Sequence, residues 1–235
     1  MREQVYNLQS AANSSASERA GFIRRTYLHV AGAIAAFAML EVFIFKAGFA
    51  GVIAGTLLGS QYSWLIVIGL FMGVSFVADK FAHSQTSEGA QYFGLGLFVV
   101  AEAIVFVPIL FIADSFFHGA IETAAYVTAL LVIGLTSTVF ITKKDFSFMA
   151  SFLKIGFIIG AGLIICSIIF GFSLGLIFSG AMCLLAAGSV LYTTSNILHK
   201  YNTSQHVAAS LALFSSIALL FWYVLQIVMS LSNRD

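Results

Sequence analysis

Residues 90–113, AQYFGLGLFVVAEAIVFVPILFIA, decide the fold: the run carries one charge, Glu102, and one proline, Pro108. At 1.5 Å rise per residue, ~20 apolar residues cross a hydrocarbon core of ~30 Å, so this run reads as a membrane-spanning helix. Pro108 removes one backbone hydrogen bond inside it and is expected to kink or break the helix. Outward from this stretch the same pattern recurs between polar breaks, giving helices near 25–45, 62–79, 90–113, 121–141, 150–170, 173–198 and 206–231. The chain of 235 residues is 60% hydrophobic and 9% charged, against about 25% charged residues in soluble domains. The expectation is an all-α integral membrane protein of seven transmembrane helices, with the lipid bilayer as its main contact and no room for a separate catalytic domain.

Residues 47–58 are apolar but too short to cross, and Gly51, Gly55 and Gly59 recur every four residues, so the segment reads as re-entrant or interfacial. The polar N-terminus, with Ser14, Ser15 and Ser17, lacks the apolar core of a signal peptide and reads as a flexible tail over residues 1–24. The spanning domain is then 25–231, followed by a short polar end at 232–235. Of the 11 cationic residues, Arg2, Arg19, Arg24, Arg25, Lys80, Lys143, Lys144, Lys154 and Lys200 fall toward one side and Lys46 and Arg234 toward the other. Short loops rich in Lys and Arg stay cytoplasmic, which puts the N-terminus inside and, after seven crossings, the C-terminus outside. Absence of a disulfide pattern and of a targeting peptide favours a bacterial inner membrane.

The formal net charge of +1 excludes nucleic acid as a partner suggested by electrostatics. Cys166 and Cys183 lie in separate apolar runs and read as small packing residues. Gly171-Phe-Ser173-Leu-Gly175 matches the G-x-S-x-G elbow of hydrolases, but it falls between two apolar helices and is better explained as a Gly-Ser turn. No HExxH, CxxC or phosphate-binding glycine loop occurs and the five histidines are scattered, so neither a metal nor a cofactor is expected, and no enzymatic activity. The last span lacks the Lys needed for a retinal Schiff base. Gly156 with Gly160, and Gly171 with Gly175, are spaced to let neighbouring backbones approach.

The candidate polar core or ion path is built from eight residues. Glu41 and Glu102 lie in apolar runs, where a charge costs several kcal/mol unless it is paired, protonated or facing water. Glu41 either reaches the interface at the outer end of its span or belongs to a polar path; Glu102, deeper, is either functional or structurally paired. On the sixth span Ser189, Thr193 and Asn196, continued by Lys200, share one helix face. On the seventh, Ser215, Ser216 and Gln226, with Ser210, could bond across to that face, as polar glue or as the lining of a conduit.

Three segments carry a family likeness: Phe22-Ile-Arg-Arg-Thr-Tyr-Leu, Thr142-Lys-Lys-Asp-Phe-Ser-Phe and Tyr192-Thr-Thr-Ser-Asn-Ile-Leu-His199. In order and spacing they resemble the Bax inhibitor-1 family, most closely its bacterial YccA-like branch, down to the terminal Asn233-Arg-Asp235. The resemblance implies a bundle whose last helix is enclosed by the other six. It also implies two functions. Channel-like members resemble a pH-dependent calcium or proton leak gated by two aspartates that share a proton. This chain departs there, with Thr193 after the tyrosine, Ser216 in the last span, and Gln226 where a basic residue often stands. YccA-like members, which tend to lack those aspartates, are associated with FtsH, an ATP-dependent membrane protease. The expected function is therefore modulation of such a protease, with the N-terminal tail offered to it, and a cation leak or a scaffold as alternatives.

Overall fold

A computed structural model describes residues 10–60, 62–83 and 87–232. Residues 1–9 of the expected tail, with Arg2, and the C-terminal residues 233–235, with Arg234, lie outside the described residues. Eight α-helices follow one another: α1 (Ala16–Lys46), α2 (Ala50–Leu57), α3 (Ser63–Ala82), α4 (Glu88–Phe116), α5 (Ala120–Thr142), α6 (Met149–Phe170), α7 (Gly175–His199) and α8 (His206–Ser232). Seven are long and apolar enough to cross a membrane. The exception is α2, whose eight residues rise only about 12 Å; it packs on α4 and α3 instead.

The first helix starts nine residues before the expected 25. Ser15 and Glu18 form a capping box: the Glu18 amide donates to Ser15 Oγ at 3.3 Å and the Ser15 amide donates to the Glu18 carboxylate at 3.1 Å. Two amide donors that would otherwise lack partners are satisfied reciprocally, which fixes the helix start. Residues 10–13 are also held. Ala11 is fully buried, its amide donates to the Tyr201 carbonyl at 2.8 Å, and Ser10 bridges to Asn202. Residues 10–24, expected as part of a flexible tail, are thus a short 3-10 turn and the first turns of α1.

Pro108 does not break α4, which runs unbroken for 29 residues with the proline buried in its wall. About half of the apolar window of α4 and of α8 lies inside the protein, 56% and 50%, against 11% for α3 and α6. These two are the central helices. α8 packs against α7, α5, α1, α4 and α3, while α6 is held chiefly by α7. Where α1, α4 and α8 meet, rings interlock: Phe37 lies edge-on to Phe106 at 5.1 Å and to Phe214 at 6.2 Å, and Phe106 stacks on Phe221 at 5.8 Å. Each such pair contributes ~0.5–1.5 kcal/mol beyond its buried area.

One end of the bundle gathers the N-terminal turn, the α5–α6 loop and the α7–α8 loop. The Phe146 amide donates to Ser195 Oγ at 2.9 Å, beside the Ala11–Tyr201 contact. The opposite end holds the turns on Gly119 and Gly171, both with positive φ. This alternation fits seven crossings with α2 outside the count.

Glycine spacing has two outcomes. A Cβ on Gly156 would meet Leu185 at 2.6 Å and one on Gly160 would meet Met182 at 2.6 Å, so this pair does bring α6 against α7. Gly171 and Gly175 have open space around them and φ of +72° and +68°; they form the α6–α7 turn and pack no helix. The tightest approach is at Gly94, where a Cβ would come within 2.5 Å of the Ala78 carbonyl oxygen and 2.7 Å of the Ala82 amide nitrogen. Backbone cannot yield there as a side chain can. Gly94→Ala is expected to destabilise the protein by about 1–3 kcal/mol through overpacking, against a neutral or favourable Gly134→Ala, whose Cβ meets nothing within 4 Å; thermal unfolding in detergent distinguishes the two.

Candidate functional site

The eight candidate residues do not converge on one site. Thr193 of α7 and Ser216 of α8 do meet, with their hydroxyl oxygens 3.2 Å apart and both residues buried. Ser216 donates its proton to the Ala212 carbonyl at 3.0 Å, which leaves Thr193 as the donor between the two hydroxyls. The local bond holds the Ser216 rotamer and the cross-helix bond fixes the register of α7 on α8. Ser215, its chain neighbour, is half-buried. Ser189 donates to the Ala186 carbonyl of its own helix at 2.8 Å and so contributes no bond to α8. Gln226 meets Ser179, whose hydroxyl donates to its side-chain oxygen at 2.9 Å. Ten residues of α8 separate Gln226 from Ser216, about 15 Å along the axis, so the two contacts are distinct rivets between antiparallel helices.

Asn196 is half-buried with a side-chain oxygen that has no partner among the described residues. It lines a small cavity of about 160 Å³ with His83, Lys200, Tyr201 and Gln205, at the end where the loops gather. The shared polar face read from the sequence therefore splits along α7 into a bond within the helix, a bond to α8 and a cavity wall.

Both acids are inside the protein. Glu41 on α1 and Glu102 on α4 are each 7% exposed. Among the described residues neither Glu41 oxygen has a partner, nor has Glu102 Oε2, so the two carboxyls are not hydrogen-bonded to each other. Glu102 lies one turn from Phe98 and one from Phe106, on a face where those rings meet Phe214 and Phe37. Glu41 lies one turn beyond Phe37. Its side chain is covered by protein.

Sequence reasoning missed two groups and, for a third residue that it did name, expected the wrong partner helix. Asp145, in the α5–α6 loop, accepts from the Ser147 amide at 2.8 Å and from the Ser147 and Ser195 hydroxyls. The hydroxyl and then the amide of Ser147 hold its carboxyl below the usual range. The family-like Thr142–Phe148 stretch thus serves to dock this loop on Ser195 of α7. A second group joins His29, Tyr92 and His206 across α1, α4 and α8, with ring separations of 5.0–6.5 Å. The third is Ser210, which donates to the Thr26 carbonyl of α1 at 2.9 Å and to His206 at 2.6 Å. His29, Tyr92, His206 and Ser210 stand just inside spans, where pattern reading treats a polar residue as a span end, whereas Asp145 stands in the loop between two spans. For the central pair, a double-mutant cycle of Thr193→Val and Ser216→Ala should give a coupling of about 0.6 kcal/mol, the average for such bonds in membranes.

Comparison with known proteins places this architecture. Residues 19–234 match the family model described as Bax1-I, inhibitor of apoptosis-promoting Bax1. The chain is similar to an uncharacterized protein of Pseudomonas aeruginosa, 29% identical over 97% of this chain and 96% of that one. It is also similar to Bax inhibitor 1 of Schizosaccharomyces pombe, 27% identical over 99% and 85%. An uncharacterized membrane protein of Vibrio cholerae is 31% identical over 49% of this chain and 52% of that one. No solved structure matches. A family model that covers the bundle from the first turn of α1 past the end of α8 means that this chain belongs to the Bax inhibitor-1 family.

Proposed function

We propose that this chain is a non-enzymatic, multi-pass protein of a bacterial inner membrane, in the YccA-like branch of its family, that modulates an FtsH-type ATP-dependent protease in membrane-protein quality control. The observation that carries this reading is the Thr193–Ser216 bond. Those are the positions at which channel-like relatives are expected to hold two carboxyls sharing a proton, and a hydroxyl pair cannot titrate near neutral pH. Helices joined there by a permanent bond make a rivet in place of a proton-operated gate. The bacterial relatives support the compartment. Arg19, Arg24, Arg25, Lys143, Lys144 and Lys200 lie on elements that meet at one end of the bundle, which supports a cytoplasmic N-terminus and an extracytoplasmic C-terminus.

In this proposal the protease engages residues ahead of the packed Ala11 and meets a bundle that resists extraction, so the enzyme is occupied by a poor substrate. Because residues 10–20 are built into the fold, the informative deletion is 2–9, which leaves the capping box and the Ala11–Tyr201 bond intact. With purified protease and chain in liposomes, that deletion should slow turnover of the chain and weaken its inhibition of a second membrane substrate. Turnover and inhibition both unaltered would count against the proposal.

A cation or proton leak is the second reading, favoured by the buried, unpartnered carboxyls of Glu102 and Glu41. Liposome flux across a pH series decides it: flux lowered by Glu102→Gln or Glu41→Gln supports a path through these acids. Flux that is absent, or unchanged by both substitutions, removes that path.

A further inference from the structure

A groove of about 440 Å³ runs between α1 and α4, lined by residues from His29 to Leu40 on one wall and from Tyr92 to Val100 on the other. The two helices are parallel, since His29 meets Tyr92 and Phe37 meets Phe106 further along both. From His29 to Leu40 the helix rises about 16 Å, roughly half of a ~30 Å hydrocarbon core. The groove therefore has the depth of one leaflet. Its walls are apolar except at one end, where His29 and Tyr92 stand.

Gly32 and Gly96 line this groove, and a Cβ on either would meet nothing within 4 Å. These glycines do not bring helices together as Gly94 does; they leave space. In a bilayer such space does not stay empty, because lining atoms without neighbours forfeit their dispersion contacts. Water would find no polar partners along the aliphatic part. An acyl chain satisfies both conditions.

The polar end suits a phosphate. His29 Nδ1 lies 2.7 Å from the Arg25 carbonyl, which can only accept, so Nδ1 carries hydrogen. In the neutral ring, His29 Nε2 accepts from the Tyr92 hydroxyl at 3.2 Å. Turned about its C–O bond, the same Tyr92 O–H can instead donate outward to an anion. Arg25, one turn before His29, and Arg24 are exposed and make no ion pair among the described residues. Glu88, one turn before Tyr92, is the acid on the α4 wall, as Arg25 is the cation on the α1 wall. His206 backs His29 from α8, its ring 5.0 Å away.

We propose that the α1–α4 groove is a phospholipid site, with one acyl chain along Gly32 and Gly96 and the lipid phosphate held by Arg25 and Tyr92 at the mouth. His29 is the positioning residue for the Tyr92 hydroxyl. The site stands apart from the protease reading and survives its failure.

The test is native mass spectrometry of the full chain in mild detergent, titrated with phosphatidylglycerol. One lipid per chain should be retained at activation energies that strip the rest. The double variant Gly32→Leu/Gly96→Leu should fill the groove and lower retention about tenfold, the effect of losing roughly two buried methylenes. Arg25→Gln with Tyr92→Phe should lower retention of phosphatidylglycerol with the groove left open. Gly134→Leu, placed in open space on α5, is the control. Retention that is equal in all variants, or that falls as far in the control as in the groove variant, overturns the proposal; unfolding midpoints measured alongside separate lost binding from lost fold.

Discussion

Lipid gives apolar helices no hydrophobic reason to leave it for one another, so a helical bundle must be held by close packing and by the few polar bonds that cross between helices. Here both devices centre on α8. Its aromatic side meets Phe37, Phe98 and Phe106, while Ser216 meets Thr193 and Gln226 meets Ser179. At its N-terminal turn Ser210 is tied to the backbone of α1. Helices α5, α1 and α7 have α8 as a shared partner, and the short α2 is accommodated against α4 without having to cross. Close approaches then set the local spacing: Gly94 of α4 against α3, and Gly156 and Gly160 of α6 against α7.

The same constraint governs the polar interior. A hydroxyl pair such as Thr193–Ser216 is satisfied internally at little cost, and its strength does not change with pH near neutrality. Two carboxylates at that place would repel unless they shared a proton, and the helix contact would then respond to proton concentration. Exchanging carboxyls for hydroxyls keeps the contact and discards the response. This is why the α7–α8 interface argues for a bundle valued for its mechanical integrity. Glu41 and Glu102 run against that trend, since each is buried without a full set of partners. Their position on the α1 and α4 side separates any ionisable path from the α7–α8 interface.

Seven spans and the short non-crossing segment at 47–58 were legible in the sequence, because hydropathy and length are set by the bilayer itself, whereas the central last helix was implied by the family resemblance alone. The start of α1 was equally present, in Ser15-x-x-Glu18, but was hidden by a composition that otherwise resembles a tail. The site was less legible. Periodicity correctly places Ser189, Thr193 and Asn196 on one face of α7, yet it cannot say which hydroxyl will bond within its own helix; Ser189 does and Thr193 does not. Depth along the partner helix decides, and that is a tertiary quantity. Glycine spacing failed in the same way: the pair at 156 and 160 packs helices, the pair at 171 and 175 makes a turn, and the sequence interval is identical.

The capped start of α1 also bears on how such a protein could engage an unfolding enzyme. A handle works when pulling on it transmits force to structure that yields slowly. Because Ser10 and Ala11 are tied to Asn202 and Tyr201, force applied at the N-terminus reaches the α7–α8 loop and thereby α8 before α1 begins to unwind. The first element loaded is thus joined to the most connected helix of the bundle, and the buried Phe22 and Thr26 hold the next turns of α1. These ties at the first packed residues are what the proposed role as a competitor for a membrane protease would require.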